Sequence, residues 1–281
     1  YCIGQLKRYG VGTEYVTPVG GEYRNSLAFY ESRVEGHRNV IYRNGAADFQ
    51  MDAEDVAAVD YSKFGALITA GTVFAAEPSR SATFEAFVRA KAAGLPAIVR
   101  VANNDPGLVG RALDAGAQGI MCPLINTVDE AERLVRAVKY PPRGVRSWGP
   151  YRANIGVSGD YFKTANRFTI ACPQIETKGA LQELDAILGL KGVDMVCFGP
   201  NDLSVALTGR LDIRAKEVQE AMADVLAKAR EHGVMKLIFC NDIDFAKSRL
   251  KEGWDLVTIG TDASWLASAA AATLAAVESS S

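Results

Sequence analysis

Histidine is nearly absent: His37 and His232 are the only two in a chain of 281 residues. Histidine-rich metal centres and proton relays therefore have little material to work with. The five cysteines, Cys2, Cys122, Cys172, Cys197 and Cys240, are odd in number and nowhere form a C-x-x-C pair, which argues against zinc knuckles and dithiol centres. Four of them lie in apolar runs, where free cysteine behaves as a small hydrophobe, so a reduced cytoplasmic protein is expected. Charge of neither sign dominates. With 31 Lys and Arg against 33 Asp and Glu, the net charge of −2 offers no electrostatic footprint for nucleic acid. A long hydrophobic run is also missing. The most apolar stretch, Ala263 to Val277, is mostly alanine and too short for a bilayer core of ~30 Å, so no membrane partner is expected. No secretory signal is read at the start, and the opening Tyr1 in place of methionine is expected of a piece of a longer chain.

The composition, 48% hydrophobic and 23% charged, is that of a globular protein. From Leu95 onward, short β-rich runs alternate with helical patterns, which predicts βα units and a parallel sheet. The strand runs are Ala97–Val101, Gly119–Cys122, Phe168–Ile175, Met195–Gly199, Met235–Cys240 and Leu256–Gly260. The helical patterns are Val128–Val138, Leu181–Ile187, Lys216–Glu231 and Phe245–Glu252. Gly94, Gly116, Gly192, Gly233 and Gly253 each fall where a left-handed helix cap is expected. Six units in series, with no Gly-rich dinucleotide fingerprint, suggest a TIM-barrel-like (β/α)8 fold in the α/β class. Function in such a barrel lies at the C-terminal ends of the strands, where Arg100, Asn126, Glu176, Asp202, Asn241 and Asp262 would project.

Two of these apolar runs stop at a carboxylate, at Glu176 and just before Asp202. A pair of carboxylates with no histidine nearby suits a hard divalent cation, Mg2+ or Mn2+. The competing reading is that each caps the following helix. Capping suits Asp202 well, but Glu176 less, because Thr177 beside it is the better cap. Lys178 and Lys236 raise a Schiff-base alternative. The first starts a helix and the second begins a strand, so that alternative ranks low.

The segments "GRALDAGAQGIMCPLINTVDEAERLVRAVKYPPRGVRSWGPYRA", "QIET" and "GVDMVCFGPNDLS" together resemble the HpcH/HpaI family of metal-dependent pyruvate aldolases, from about Val99 to the C terminus. The resemblance implies a TIM barrel, usually a hexamer, that cleaves or forms 2-keto-3-deoxy and 4-hydroxy-2-oxo acids from pyruvate and an aldehyde. It implies metal ligation (Mg2+, Mn2+ or Co2+) by Glu176 and Asp202, and contact of Arg100 with the keto oxygen. Gly199, Pro200, Asn201 and Asp202 would form the loop whose backbone amides hold the pyruvate carboxylate. Gln174 would line the pocket, and Asp114 would orient a catalytic histidine. The loop at "YPPRGVRSWGPYRA" is expected near the mouth of the barrel, or anchored on the surface by its aromatics.

That histidine is not in the sequence. The family pattern D-x-E-H falls on Ala70, Gly71, Thr72 and Val73, while His37 reads as a loop residue and His232 as a solvated helix end. Residues 1–98 resemble instead an internal stretch of ribokinase-like (PfkB) sugar kinases, 5-dehydro-2-deoxygluconokinases in particular, through Tyr42 to Asp48 and the T-A-G-T turn. The kinase G-A-G-D signature, with its catalytic aspartate, is missing, so phosphoryl transfer lacks its positioning groups. The expected organisation is thus a kinase-like segment, 1–98, joined to an aldolase barrel segment, 99–281. Ser26–Glu31 and Asn39–Arg43 should form an antiparallel hairpin. Gly65–Ala70, a helix over Ser81–Ala93 and Ala97–Val101 should form a βαβ unit that supplies early barrel strands. Three functions follow: a metal-dependent aldolase weakened by the lost histidine, a chimera, natural or engineered, that binds metal and ketoacid without turnover, and a sugar kinase.

Overall fold

The computed structural model describes residues 3, 4, 7, 12–23, 27–31, 38–42, 45–64, 67–70, 76–155, 157 and 159–259. Strands β1 (Leu27–Glu31) and β2 (Arg38–Tyr42) pair antiparallel, as the hairpin pattern predicts, and stand apart from the main sheet. The short helix α1 (Ala53–Ala57) follows, capped by Asp52 in a reciprocal arrangement with Asp55. Then comes the regular alternation: β3 (Leu67–Ala70), α2 (Ser79–Ala92), β4 (Ala97–Arg100), α3 (Pro106–Asp114), β5 (Gly119–Cys122), α4 (Val128–Val138) and α5 (Tyr161–Phe168). It continues through β6 (Ile170–Ile175), α6 (Lys178–Gln182), α7 (Leu184–Gly189), β7 (Met195–Phe198) and α8 (Pro200–Thr208). The last described elements are α9 (Lys216–Glu231), β8 (Met235–Cys240), α10 (Ile243–Glu252) and β9 (Leu256–Ile259).

Strands β3 to β9 form one seven-stranded parallel sheet in strictly sequential order, curled as in part of a barrel. Two cores follow from the period-two alternation of side chains. Ile98, Met121, Cys172, Met195, Cys197 and Leu237 pack together on one face. The opposite face, with Val99, Ile120, Ala171, Val196 and Ile238, packs under the helices against residues such as Leu134, Leu184 and Val225. Continuing the first alternation upward puts Arg100, Gln174, Glu176 and Gly199 on the same face, at the C-terminal edge. All five glycines expected to cap helices have positive φ, from +67° at Gly233 to +116° at Gly116.

Several expectations are corrected. The run Phe168–Ile175 is not all strand, because Phe168 closes α5 and the Thr169 hydroxyl donates back to Ala165 O at 2.9 Å. The single helix Leu181–Ile187 is two short helices broken at Glu183, whose carboxylate accepts from Val128 N. Of the two positions expected for residues 140–153, the mouth and a surface anchored by aromatics, the structure shows the second. The loop leaves α4 at the N-terminal edge of the sheet, where Tyr140, Trp148, Tyr161 and Phe162 stack on one another.

Candidate active site

Glu176 lies one residue beyond β6 and is only 2% exposed. Burying a carboxylate is costly unless something compensates it. Its Oε1 accepts the Leu124 backbone amide at 2.7 Å, and its Oε2 accepts from Gln174 Nε2. Burial pushes its carboxyl up to about 7; the Leu124 amide opposes this, the Asp202 charge beside it adds to it, and Arg100 opposes it. The structure thus brings Glu176, Asp202, Arg100 and Gln174 together. Asp202, in the first turn of α8, is exposed, and Arg100 is exposed at the end of β4.

Gly199 makes this proximity possible. A Cβ there would stand 2.5 Å from Glu176 Oε2 and 2.9 Å from Gln174 Nε2. The Gly199 amide is committed to Ile175 O and Pro200 has none, so Asn201 and Asp202 supply the amides at the open turn of α8. The Asn201 and Asn241 side chains bond reciprocally, Asn241 Nδ2 donating to Asn201 Oδ1 at 3.1 Å, which ties this turn to the end of β8.

The donor set fits a hard divalent cation with few protein ligands. Two carboxylates converge, and the buried Gln174 Oε1 beside them has no hydrogen-bond partner. Among the described residues no three acidic, His or Cys side chains gather as a complete cage, so water and substrate oxygens would fill the remaining positions.

Other expected residues lie elsewhere. Asp114 ends α3 at the opposite edge of the sheet and pairs with Arg146 at 2.7 Å. His232 closes α9 and approaches Asp185 at 3.4 Å, also away from the mouth, beside a cavity of about 580 Å3 lined by Phe168, Leu188, Asp194 and Met235. Ala70 ends β3. His37, Cys2, Asp262 and Gly71 to Val73 lie outside the described residues. Lys178 is exposed, and Lys236 is held in an ion pair with Asp255 at 2.8 Å at the start of its strand, away from the mouth, so neither is placed to form a Schiff base. The four described cysteines are buried and free, and burial pushes the Cys122 thiol up to about 12, which rules it out as a thiolate nucleophile near neutrality. Sequence reasoning missed Leu124. A leucine at positive φ, 54°, leaves no compositional signal, and only the preceding Pro123 hints at an abrupt strand end.

A parallel α/β sheet with a buried carboxylate, a second carboxylate and an arginine together at its C-terminal edge has the form of an enzyme active site. Residues 75–269 match the HpcH/HpaI aldolase/citrate lyase family, and the chain belongs to that family; its class is the class II aldolase. A hydroxypyruvate/pyruvate aldolase of Rhizorhabdus wittichii is 39% identical over 179 residues, covering 63% of this chain and 71% of that one. A 4-hydroxy-2-oxo-heptane-1,7-dioate aldolase of Shigella flexneri is 36% identical over 187 residues, covering 66% and 70%. Among solved structures, a family protein from Burkholderia cenocepacia superposes with TM-score 0.65 at 33% identity, over 81% of this chain and 91% of that one. The HpcH/HpaI aldolase of Desulfitobacterium hafniense superposes with TM-score 0.69 at 26% identity, over 80% and 88%.

Proposed function

We propose that the chain is a divalent-metal-dependent aldolase that cleaves or forms 2-keto-3-deoxy and 4-hydroxy-2-oxo acids through a pyruvate enolate. The observation that carries this reading is the buried Glu176 carboxylate beside that of Asp202, with Arg100 at the same edge. The names of the two relatives support the substrate class. Glu176 and Asp202 would hold Mg2+, Mn2+ or Co2+. A cation held there would supply Lewis-acid stabilisation of the charge that develops on the ketoacid. Arg100 contributes a fixed planar cation where the enolate oxygen develops charge. The Asn201 and Asp202 amides receive the ketoacid carboxylate at the N terminus of α8. Gln174 holds Glu176 in place, and its buried Oε1 is left without a hydrogen-bond partner. Aldol cleavage also needs a base for the substrate hydroxyl, and the sequence has no histidine at the family position. That gap supports reduced turnover.

The finer assignments belong to the same reading. Closure into an eight-stranded barrel is supported by the sequential order of seven parallel strands. A separate, kinase-like origin of the N-terminal segment is supported by the antiparallel hairpin outside that sheet, while the family match from residue 75 supports counting the last part of residues 1–98 with the aldolase segment. Hexameric assembly rests on the family resemblance. A reducing, cytoplasmic setting suits four buried free thiols. No described helix is long and apolar enough to cross a membrane.

Exchange of pyruvate C3 protons in deuterated water with Mn2+ tests the site without requiring an aldehyde. Wild type should exchange, and Glu176→Ala and Asp202→Ala should lose both exchange and Mn2+ binding. Arg100→Lys should slow exchange by roughly 10² while still binding Mn2+. Unchanged Mn2+ affinity in both carboxylate variants would remove those residues from the metal site, and an unchanged exchange rate in Arg100→Lys would remove the arginine from the mechanism.

A further inference from the structure

Leu124 is the only non-glycine residue at positive φ among the described residues. Left-handed backbone is disfavoured for any residue with a branched or bulky side chain, and when it persists its surroundings must impose it. Here they do. Pro123 and Ile125 on either side are buried, and the Leu124 side chain between them is 61% exposed, so apolar burial does not explain the conformation. The Asn126 side-chain amide donates to Leu124 O at 3.0 Å, and the Asn126 backbone amide donates to Glu130 Oε2 at 2.7 Å. Thr177, immediately after Glu176, donates from its hydroxyl to Ile125 O at 3.0 Å, while the same oxygen caps α6 by accepting from Ala180 N. Gly179 approaches Asn126 so closely that a Cβ would lie 2.6 Å from Asn126 O. The loop after β5 is therefore stitched to the loop after β6, and the result of that stitching is one inward-pointing amide, Leu124 N–H, on Glu176 Oε1 at 2.7 Å.

We propose that Leu124 is a positioning residue whose left-handed backbone aims its amide at Glu176 and so fixes the carboxylate orientation from which a divalent cation is bound. The inference rests on the metal-site reading above and adds that the backbone conformation, not the leucine side chain, is what the site needs. With Oε1 held by the amide, the carboxylate cannot rotate freely, and Oε2 stays on the Gln174 and Asp202 side. Partners that orient a metal ligand in this way typically matter by about 10–100-fold in metal affinity.

Three substitutions separate backbone from side chain. Leu124→Gly removes the side chain but adopts positive φ at no steric cost, and Leu124→Asn tolerates it. Leu124→Val, β-branched, resists it most. Mn2+ affinity of the metal-free protein, measured by titration with electron paramagnetic resonance, should stay within about threefold of wild type for Leu124→Gly and Leu124→Asn. It should weaken by about 10–100-fold for Leu124→Val, with the far-ultraviolet circular dichroism unchanged. Equal affinity in all four proteins, or equal loss in Leu124→Gly and Leu124→Val, overturns the proposal. A second measurement needs no metal: the Leu124 amide should be protected from hydrogen exchange in wild type and lose that protection in Glu176→Ala and Leu124→Val. An unprotected amide in wild type overturns the proposal even if Mn2+ binds. Protection of the amide with no Mn2+ binding by wild type would overturn the metal reading and, with it, the functional role assigned to Leu124.

Discussion

At the scale of single residues, the protonation of Glu176 links stability to metal binding. Its carboxyl sits at about 7 in the fold against an ordinary 4.5, chiefly because it is buried. Between those two values the folded protein holds a proton that the unfolded chain has released. The stability this proton supplies is fully present below about 4.5 and is lost as the pH rises through about 7. A divalent cation requires the deprotonated carboxylate, so binding offsets the loss. The rise in melting temperature on adding Mn2+ should therefore be small at pH 5.5, grow as the pH passes through about 7 and be level by pH 8. Glu176→Gln should abolish most of that rise and flatten the metal-free stability over the same range. A rise of equal size at both pH values would show that the cation binds elsewhere. Which carboxylate would carry this behaviour was legible in the sequence, because Glu176 follows an apolar run and has Thr177 beside it as the better cap. The amide that moderates it was not, since a backbone conformation at Leu124 has no compositional signature.

At the scale of elements, the N-terminal edge of the sheet is held by a buried lysine. The Lys139 side chain is fully buried, and its ammonium donates to Asn166 O at 3.2 Å, to Thr169 O and to Asp194 Oδ2 at 2.8 Å. Asp194 in turn accepts from Ala171 N at 3.0 Å, so one cation joins the end of α4 to α5, β6 and β7. Lys139→Met would leave two carbonyls and a carboxylate without their donor, and should lower unfolding stability by about 3 kcal/mol in urea. Mn2+ affinity should not change, since the site is at the other edge. A loss of under about 1 kcal/mol would show that water replaces the ammonium. Strands were the most legible elements, because short apolar runs ending at glycine-capped helices have few other interpretations. The boundary at Phe168 was misread because an aromatic next to a β-branched residue looks like strand. In the structure Phe168 is 60% exposed, and Thr169 turns its hydroxyl back onto the helix. The loop after α4 had two readings for a related reason, since aromatics can line a pocket wall or anchor a surface loop; here Trp148 and Phe162 pack on the buried Tyr140 while each stays more than half exposed.

At the scale of the whole molecule, the curled sheet gathers Arg100, Gln174, Glu176 and Asp202 from three separate stretches of chain, and the family resemblance had named all four residues. Asp114 illustrates the limit of such naming, since the helix that carries it ends at the far edge, where Arg146 is its partner. The final consequence concerns the proton. Aldol cleavage requires removal of a proton from the substrate hydroxyl, and a positioned base contributes typically ~10²–10⁴-fold. Stabilising the enolate requires the cation and Arg100, but not that base. Decarboxylation of oxaloacetate generates the same enolate with no hydroxyl to deprotonate. In the presence of Mn2+, the protein should therefore decarboxylate oxaloacetate well while cleaving 2-keto-3-deoxy acids poorly. Both activities should fall together in Glu176→Ala, because both need the same charge stabilisation. Measuring the two rates on one preparation gives the decisive ratio. If cleavage matches or exceeds decarboxylation, a group other than a histidine at the family position serves as the base.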